Sequence, residues 1–137
     1  VLQVIRDHGF GGALEYASAA LRADRDVVLA AVQESPQGSP FQYCTPQLRT
    51  DRRFVLQAVS LKGMALGYAA DEVRSVKEVV IAAVSQNGMA LRYACPTLRA
   101  DREVVLAAVT EDGTALMYGS RELRADKQVV LTAVKMG

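Results

Sequence analysis

Five arginines, Arg22, Arg49, Arg74, Arg99 and Arg124, occupy the same point of a recurring text, each directly after a Leu or a Val. The guanidinium is a planar fork of donors that matches carboxylates and phosphates, so a row of them is anion-binding chemistry. On a stack of helical units the row would have a spacing of about 10 Å, suited to phosphates or to an acidic helix. The same residues have a structural use. A cation is favoured at the carbonyl end of a short helix, and it can pair with a nearby Asp. A second basic row, Arg25, Arg52, Lys77, Arg102 and Lys127, opens the more apolar segments. A cation in a first helical turn opposes the dipole. Its recurrence there predicts a partner in the adjacent unit, through a salt bridge or a carbonyl contact, with the alkyl stem on apolar surface. The tyrosines Tyr16, Tyr43, Tyr68, Tyr93 and Tyr118 make a third row. Aromatics stack bases in some nucleic-acid modules. Here they close a Gly-x-Ala-Leu-x-Tyr phrase and are expected to pack between units, with the hydroxyl on a polar partner.

Catalytic groups are in short supply. His8 is the single histidine, and no Ser or Cys has a base-bearing motif beside it. The recurrent Asp residues read as helix caps, because paired catalytic carboxylates would not be copied once per unit. The FGG stretch (10 to 12) lacks the preceding strand and following Lys of a phosphate loop. Cys44 and Cys95 fall at different phases of the unit and are expected to be small buried thiols rather than a disulfide or ligands. The expectation is a chain that is not an enzyme and takes no cofactor or metal.

What positions these rows is internal repetition. The tyrosines are spaced 27, 25, 25 and 25 apart. Five residues after each comes Leu21, Leu48, Val73, Leu98 or Leu123, then the arginine, then Asp24, Asp51, Asp101 or Asp126, with Val76 as the exception. The runs VVLAAV, FVLQAV, VVIAAV, VVLAAV and VVLTAV follow, and the phrases GMALGY, GMALRY and GTALMY close the later units. The first two units carry extra residues at Gly9 to Gly12 and Ser35 to Gly38. The units fall roughly at 1–23 (partial), 24–50, 51–75, 76–100, 101–125 and 126–137 (partial) of one array covering 1–137.

The apolar runs read as helix rather than strand. Asp101 stands where an N-cap belongs, Glu103 follows in the first turn, and Gly88 and Gly113 stand where a helix C-terminus prefers glycine. On a helical wheel Val105, Ala108 and Val109 share a face flanked by Val104 and Leu106, against Glu103, Ala107, Thr110 and Glu111. Alanine recurs at Ala31, Ala58, Ala83, Ala108 and Ala133, which predicts close approach of another helix. The other half-unit reads as two short helical turns. Ala90, Leu91 and Ala94 point inward, Ser18, Thr45 and Ser120 serve as N-caps, and Pro46 and Pro96 take the first helical position. The predicted fold is all-α: tandem units of ~25 residues, one long helix plus one broken short helix, stacked as an α-solenoid, since such a unit cannot bury its apolar face alone. Val1 aligns inside a long helix and Gly137 stops where another unit would begin. The expectation is therefore the interior of a longer array, or ends covered by a partner.

Bulk properties narrow the function classes. Lys and Arg total 16 against 15 for Asp and Glu, a net charge of +1, which disfavours a dedicated nucleic-acid role. No window nears the ~18 consecutive apolar residues of a membrane span. VLQVIRDHGF has neither the basic start nor the cleavage pattern of a signal peptide, and an intracellular setting fits two unpaired cysteines.

The compound text VVLAAV, G-x-A-L-x-Y-A and L-R-x-D resembles the repeat family catalogued as domain of unknown function 4116, over essentially the whole chain. That resemblance implies tandem arrays, with relatives in bacteria and unicellular eukaryotes, notably marine microalgae. It implies no activity, substrate or cofactor. Val76 and the two expanded units depart from the pattern. The resulting expectation is a non-catalytic helical-repeat scaffold for protein–protein contacts. Its binding surface would use the outward positions that vary between units, Gln57, Gly67, Arg92, Thr110 and Met117. A second reading is an accessory structural subunit of a large assembly, which the microalgal relatives would place in an organelle such as the chloroplast. A third is anion or nucleic-acid binding through the arginine row.

Overall fold

The structure, a computed structural model, describes residues 12–36 and 38–136. His8, the expansion before Gly12, the start of the FGG stretch, Val1 with the first eleven residues of the partial first unit, Gln37 and Gly137 lie outside the described residues. Every regular element among the described residues is helical. Ten-residue α-helices run over Arg25–Glu34, Arg52–Leu61, Lys77–Gln86, Arg102–Glu111 and Lys127–Met136. Each Gly-x-Ala-Leu-x-Tyr phrase, or its equivalent, winds as a 3-10 helix: Gly12–Tyr16, Ser39–Tyr43, Gly63–Tyr68, Gly88–Tyr93 and Gly113–Tyr118. Short α-helices Ala19–Arg22, Pro46–Thr50, Pro96–Arg99 and Arg121–Arg124 complete the units.

Local chemistry sets these boundaries. Asp101 accepts the first-turn N–H groups of Glu103 (2.9 Å) and Val104 (3.3 Å). Asp24, Asp51 and Asp126 cap in the same way, by accepting from Val27, Phe54 and Val129. Ser18 and Ser120 cap the short helices through Leu21 and Leu123. Thr45 holds the N-cap position, but its hydroxyl makes no capping bond. One unit departs further. Ala70 has no side-chain oxygen to cap with, and residues 71–75 form a hydrogen-bonded turn instead of a helix. This segment has neither a capping serine, as at Ser18 and Ser120, nor the first-position proline with which Pro46–Thr50 and Pro96–Arg99 form without a side-chain cap.

The long helices bury the face that the wheel predicts. Val104, Val105, Ala108 and Val109 are sealed from solvent, as are their counterparts in the three preceding helices, while Thr110 and Glu111 are exposed. Successive long helices pack against one another, and Lys77–Gln86 and Arg102–Glu111 also pack against the 3-10 helices of their own and the preceding unit. One continuous core results, with Leu14, Phe41, Leu66 and Leu91 of the 3-10 helices fully buried in it. The last helix shows what a following unit does. Val134 is 70% exposed, whereas its equivalents Val59, Val84 and Val109 are at 0%.

Two expectations change. Gly88 and Gly113 are not left-handed helix caps, because Gly38 is the one described glycine with positive φ, at 68°. Instead they open the 3-10 helices. A Cβ on Gly63 would overlap the carbonyl oxygen of Ala83, and one on Gly88 that of Ala108. The recurring alanine therefore marks close approach of the preceding unit's glycine backbone. Its carbonyl already accepts the N–H that ends its own helix, from Asn87 or Asp112. The glycine N–H is satisfied across the same joint by Gln86 or Glu111, at the end of the next unit's long helix.

Candidate functional site

Four members of the second basic row, Arg25, Arg52, Lys77 and Arg102, are absorbed by the joints. Arg25 pairs with Asp51, Lys77 with Asp101 at 3.0 Å and Glu103 at 2.7 Å, and Arg102 with Asp126 at 3.3 Å. Asp51, Asp101 and Asp126 thus each serve two units, capping their own helix and holding the cation of the unit before. Val76 offers no carboxylate, and Arg52 reaches past it to Glu78 at 3.4 Å. The ion pair therefore persists where the sequence predicts a gap. These contacts tune the acids. The Arg25 guanidinium and the Phe54 N–H hold Asp51 below its ordinary carboxylate value. The N–H of Val129, then Arg102, does the same for Asp126. Burial pushes Asp101 up, but Lys77 and the Val104 and Glu103 amides outweigh it and leave that carboxyl lowered. Lys77 is raised by Glu103, then Asp101.

The first arginine row behaves differently. Its backbone belongs to the joints: the carbonyls of Arg22, Arg49, Arg74 and Arg99 accept the N–H groups of Thr45, Ala70, Cys95 and Ser120 in the next unit. The short segment's carbonyl end is thereby satisfied by a neighbour's amide rather than by the arginine side chain. The Nε atoms of Arg22, Arg49, Arg74 and Arg99 are buried without a hydrogen-bond partner. Arg74 pairs with Asp71 beside it. Arg124, with no described unit following it, is exposed.

The tyrosines stand next to this row. Tyr43, Tyr68, Tyr93 and Tyr118 are half-buried, while Tyr16 is 82% exposed. Tyr43, Tyr93 and Tyr118 each lean on the variable position of the unit before. Tyr43 bonds Glu15, and its hydroxyl is raised above its ordinary value by burial and then by that carboxylate. The Tyr93 ring lies so close over Gly67 that a Cβ there would sit 2.8 Å from it. The Arg92 guanidinium lies over Tyr93 at 5.2 Å and Tyr118 at 5.9 Å.

Between the two rows lie three depressions of nearly equal size, about 300, 310 and 290 Å³. Arg49 and Tyr68 line the first, Arg74 and Tyr93 the second, Arg99 and Tyr118 the third. Asp71 borders both the first and the second, and Pro96 both the second and the third, so the depressions adjoin in sequence as one segmented groove. Sequence reading found both rows and missed the groove, because its walls come from different units.

The variable positions do not form one patch. Arg92 and Met117 line the groove, and Gly67 lies beneath the Tyr93 ring. Gln57 and Thr110 are exposed on long helices, and Thr110 belongs to a separate shallow depression with Ser85, Leu106, Ala107 and Glu111. Both cysteines are free. Cys44 is buried, donates to the Phe41 carbonyl at 3.0 Å and is pushed up to about 11 by burial. Cys95 is only half-buried and lines the groove, where a fully buried thiol was expected. No helix of the described residues is long and apolar enough to cross a membrane.

No curated protein and no solved structure matches the chain. Three consecutive stretches, residues 1–49, 51–99 and 101–136, match the family described as Domain of unknown function (DUF4116). The second and third stretches begin at the N-cap residues Asp51 and Asp101, so one family module corresponds to two of the 25-residue units. With its length covered almost completely by these tandem matches, the chain belongs to the DUF4116 family.

Proposed function

We propose that the chain is a non-catalytic α-solenoid platform for protein–protein contacts. The observation that carries this reading is how the charged groups divide. The conspicuous charge of the unit boundaries, the second basic row and the N-cap acids, is spent on joining units. What faces outward is a groove bordered by residues that vary from unit to unit, such as Arg92 and Met117, and a row of long-helix positions such as Gln57 and Thr110. A constant scaffold with variable outer positions is the arrangement in which solenoids bind proteins. Chemical cross-linking of the native protein in its source extract, read by mass spectrometry, tests it. Cross-links from a partner should fall on the groove or the outer helix row. An elongated but partner-free species throughout would refute the platform.

A further inference from the structure

We propose that the groove between the arginine and tyrosine rows receives an extended acidic segment of a protein partner in the polyproline-II conformation, with carboxylates placed six residues apart. This rests on the platform reading and supplies its ligand chemistry. Three observations carry it.

The first is spacing. Packed helices stand about 8–10 Å apart, so the arginines recur at that interval. A polyproline-II chain has three residues per turn at about 3.1 Å each, and its side chains return to one side every 9 Å or so. A ligand of that form places every third residue opposite an arginine. The second is the lining. Tyr68, Tyr93 and Tyr118 line the depressions, the last two with Arg92 stacked over them, and aromatic walls are where such chains rest. The groove's rigidity comes from the joints beneath it, where Ala70, Cys95 and Ser120 are tied by their N–H groups to the arginine carbonyls.

The third is charge. Arg49 and Arg99 have no ion pair among the described residues, while Arg74 between them is held by Asp71, whose side chain is 90% exposed. The groove therefore presents unpaired cations at Arg49 and Arg99 and, between them, the Arg74–Asp71 pair, with Arg92 drawn onto the Tyr93 and Tyr118 rings beside it. Carboxylates suit the outer two positions, and an uncharged hydrogen-bonding residue suits the middle. A continuous line of phosphates fits worse, because it must pass the Asp71 carboxylate at its midpoint.

Fluorescence anisotropy with labelled peptides tests this on the whole chain. The probe has the core Glu-Pro-Pro-Ser-Pro-Pro-Glu. Its control has the same composition with the two Glu adjacent, and a short oligothymidylate serves as the phosphate arm. The spaced peptide should bind about tenfold more tightly than the control. The double variant Arg49→Gln/Arg99→Gln should erase that preference, with a circular-dichroism melt confirming that it folds. Asp71→Asn removes an exposed carboxylate without touching the core. It should strengthen binding of a third peptide with Glu at the middle position by about tenfold, since Arg74 is then free. Equal binding of the spaced and control peptides overturns the proposal. So does a preference that survives the double variant, a failure of Asp71→Asn to help, or tighter binding of the oligothymidylate that collapses with moderate salt. Cross-links from a native partner confined to the Gln57 and Thr110 side would sink the groove while leaving the platform standing.

Discussion

At Asp101 one carboxylate caps the helix Arg102–Glu111 and also holds Lys77 of the preceding unit. One unit earlier, Val76 does neither: the helix Lys77–Gln86 starts without a side-chain cap, and Arg52 finds Glu78 instead. That substitute pair is looser, at 3.4 Å with both side chains more than 60% exposed (61% and 62%), against 45% and 25% for Lys77 and Asp101. The segment leading into Val76 is also a turn, where the other described units carry a short helix. Yet the buried contacts of that joint are intact. Val73 is 3% exposed, the Gly63 backbone still lies against the Ala83 carbonyl, and the Cys95 N–H still reaches Arg74. Caps and ion pairs thus trim a joint whose register is set by backbone contact and apolar burial.

The sharpest way to break that conclusion is at the glycines. Gly88→Ala forces a methyl group into the Ala108 carbonyl, and Gly63→Ala does the same at Ala83. Each should cost about 2–3 kcal/mol as the units are pushed apart. Denaturant unfolding should give equal losses at the two joints. A small loss in either would mean that the close approach does not set the register. Next in size, Asp101→Ala removes a cap and an ion-pair partner together, for about 1–2 kcal/mol. Asp101→Asn keeps an oxygen for the amides and removes the charge, which at a partly exposed pair should amount to a few tenths of a kcal/mol. Thermal melts of the two variants separate cap from clasp. If they lose equally, the ion pair, not the cap, is the stabilising part.

Acid provides a third handle. Asp51, Asp101 and Asp126 have folded values below the ordinary carboxylate value, about 3.9. The unfolded chain therefore takes up protons first. The stability from these groups is complete above that value and disappears as pH falls through the lowered folded values. Melting temperature should decline from about pH 4 downward, less steeply in Asp101→Asn. A decline of the same slope in wild type and variant would detach Asp101 from the acid response.

Much of this architecture was legible in the chain because repetition converts weak local signals into strong ones. The Asp caps, the Val and Ala face and the cross-unit role of Lys77 and Arg102 all follow from residue type and phase. The illegible parts depend on atoms about one unit distant. Gly88 reads as a helix cap until the Ala108 carbonyl is placed beside it. Val76 reads as a missing ion pair until Arg52 is long enough to find Glu78. The groove has no sequence signature of its own, since Arg74 and Tyr93 meet only after two units have stacked. Ala70 and Asp71 were the readable warning of a lost short helix, because this segment alone has neither a capping serine nor a proline at the first helical position.

The central claim is that one residue type at the N-cap distinguishes the joints while the stack beneath is common to all. Residue-resolved amide hydrogen exchange on wild type and Val76→Asp measures it directly. In wild type the first-turn amides of Glu78 and Val79 should exchange faster than those of Glu103 and Val104, which donate to Asp101. In Val76→Asp the two pairs should converge, and global stability should rise by about 1 kcal/mol. Equal exchange in wild type, or no convergence in the variant, would contradict the account.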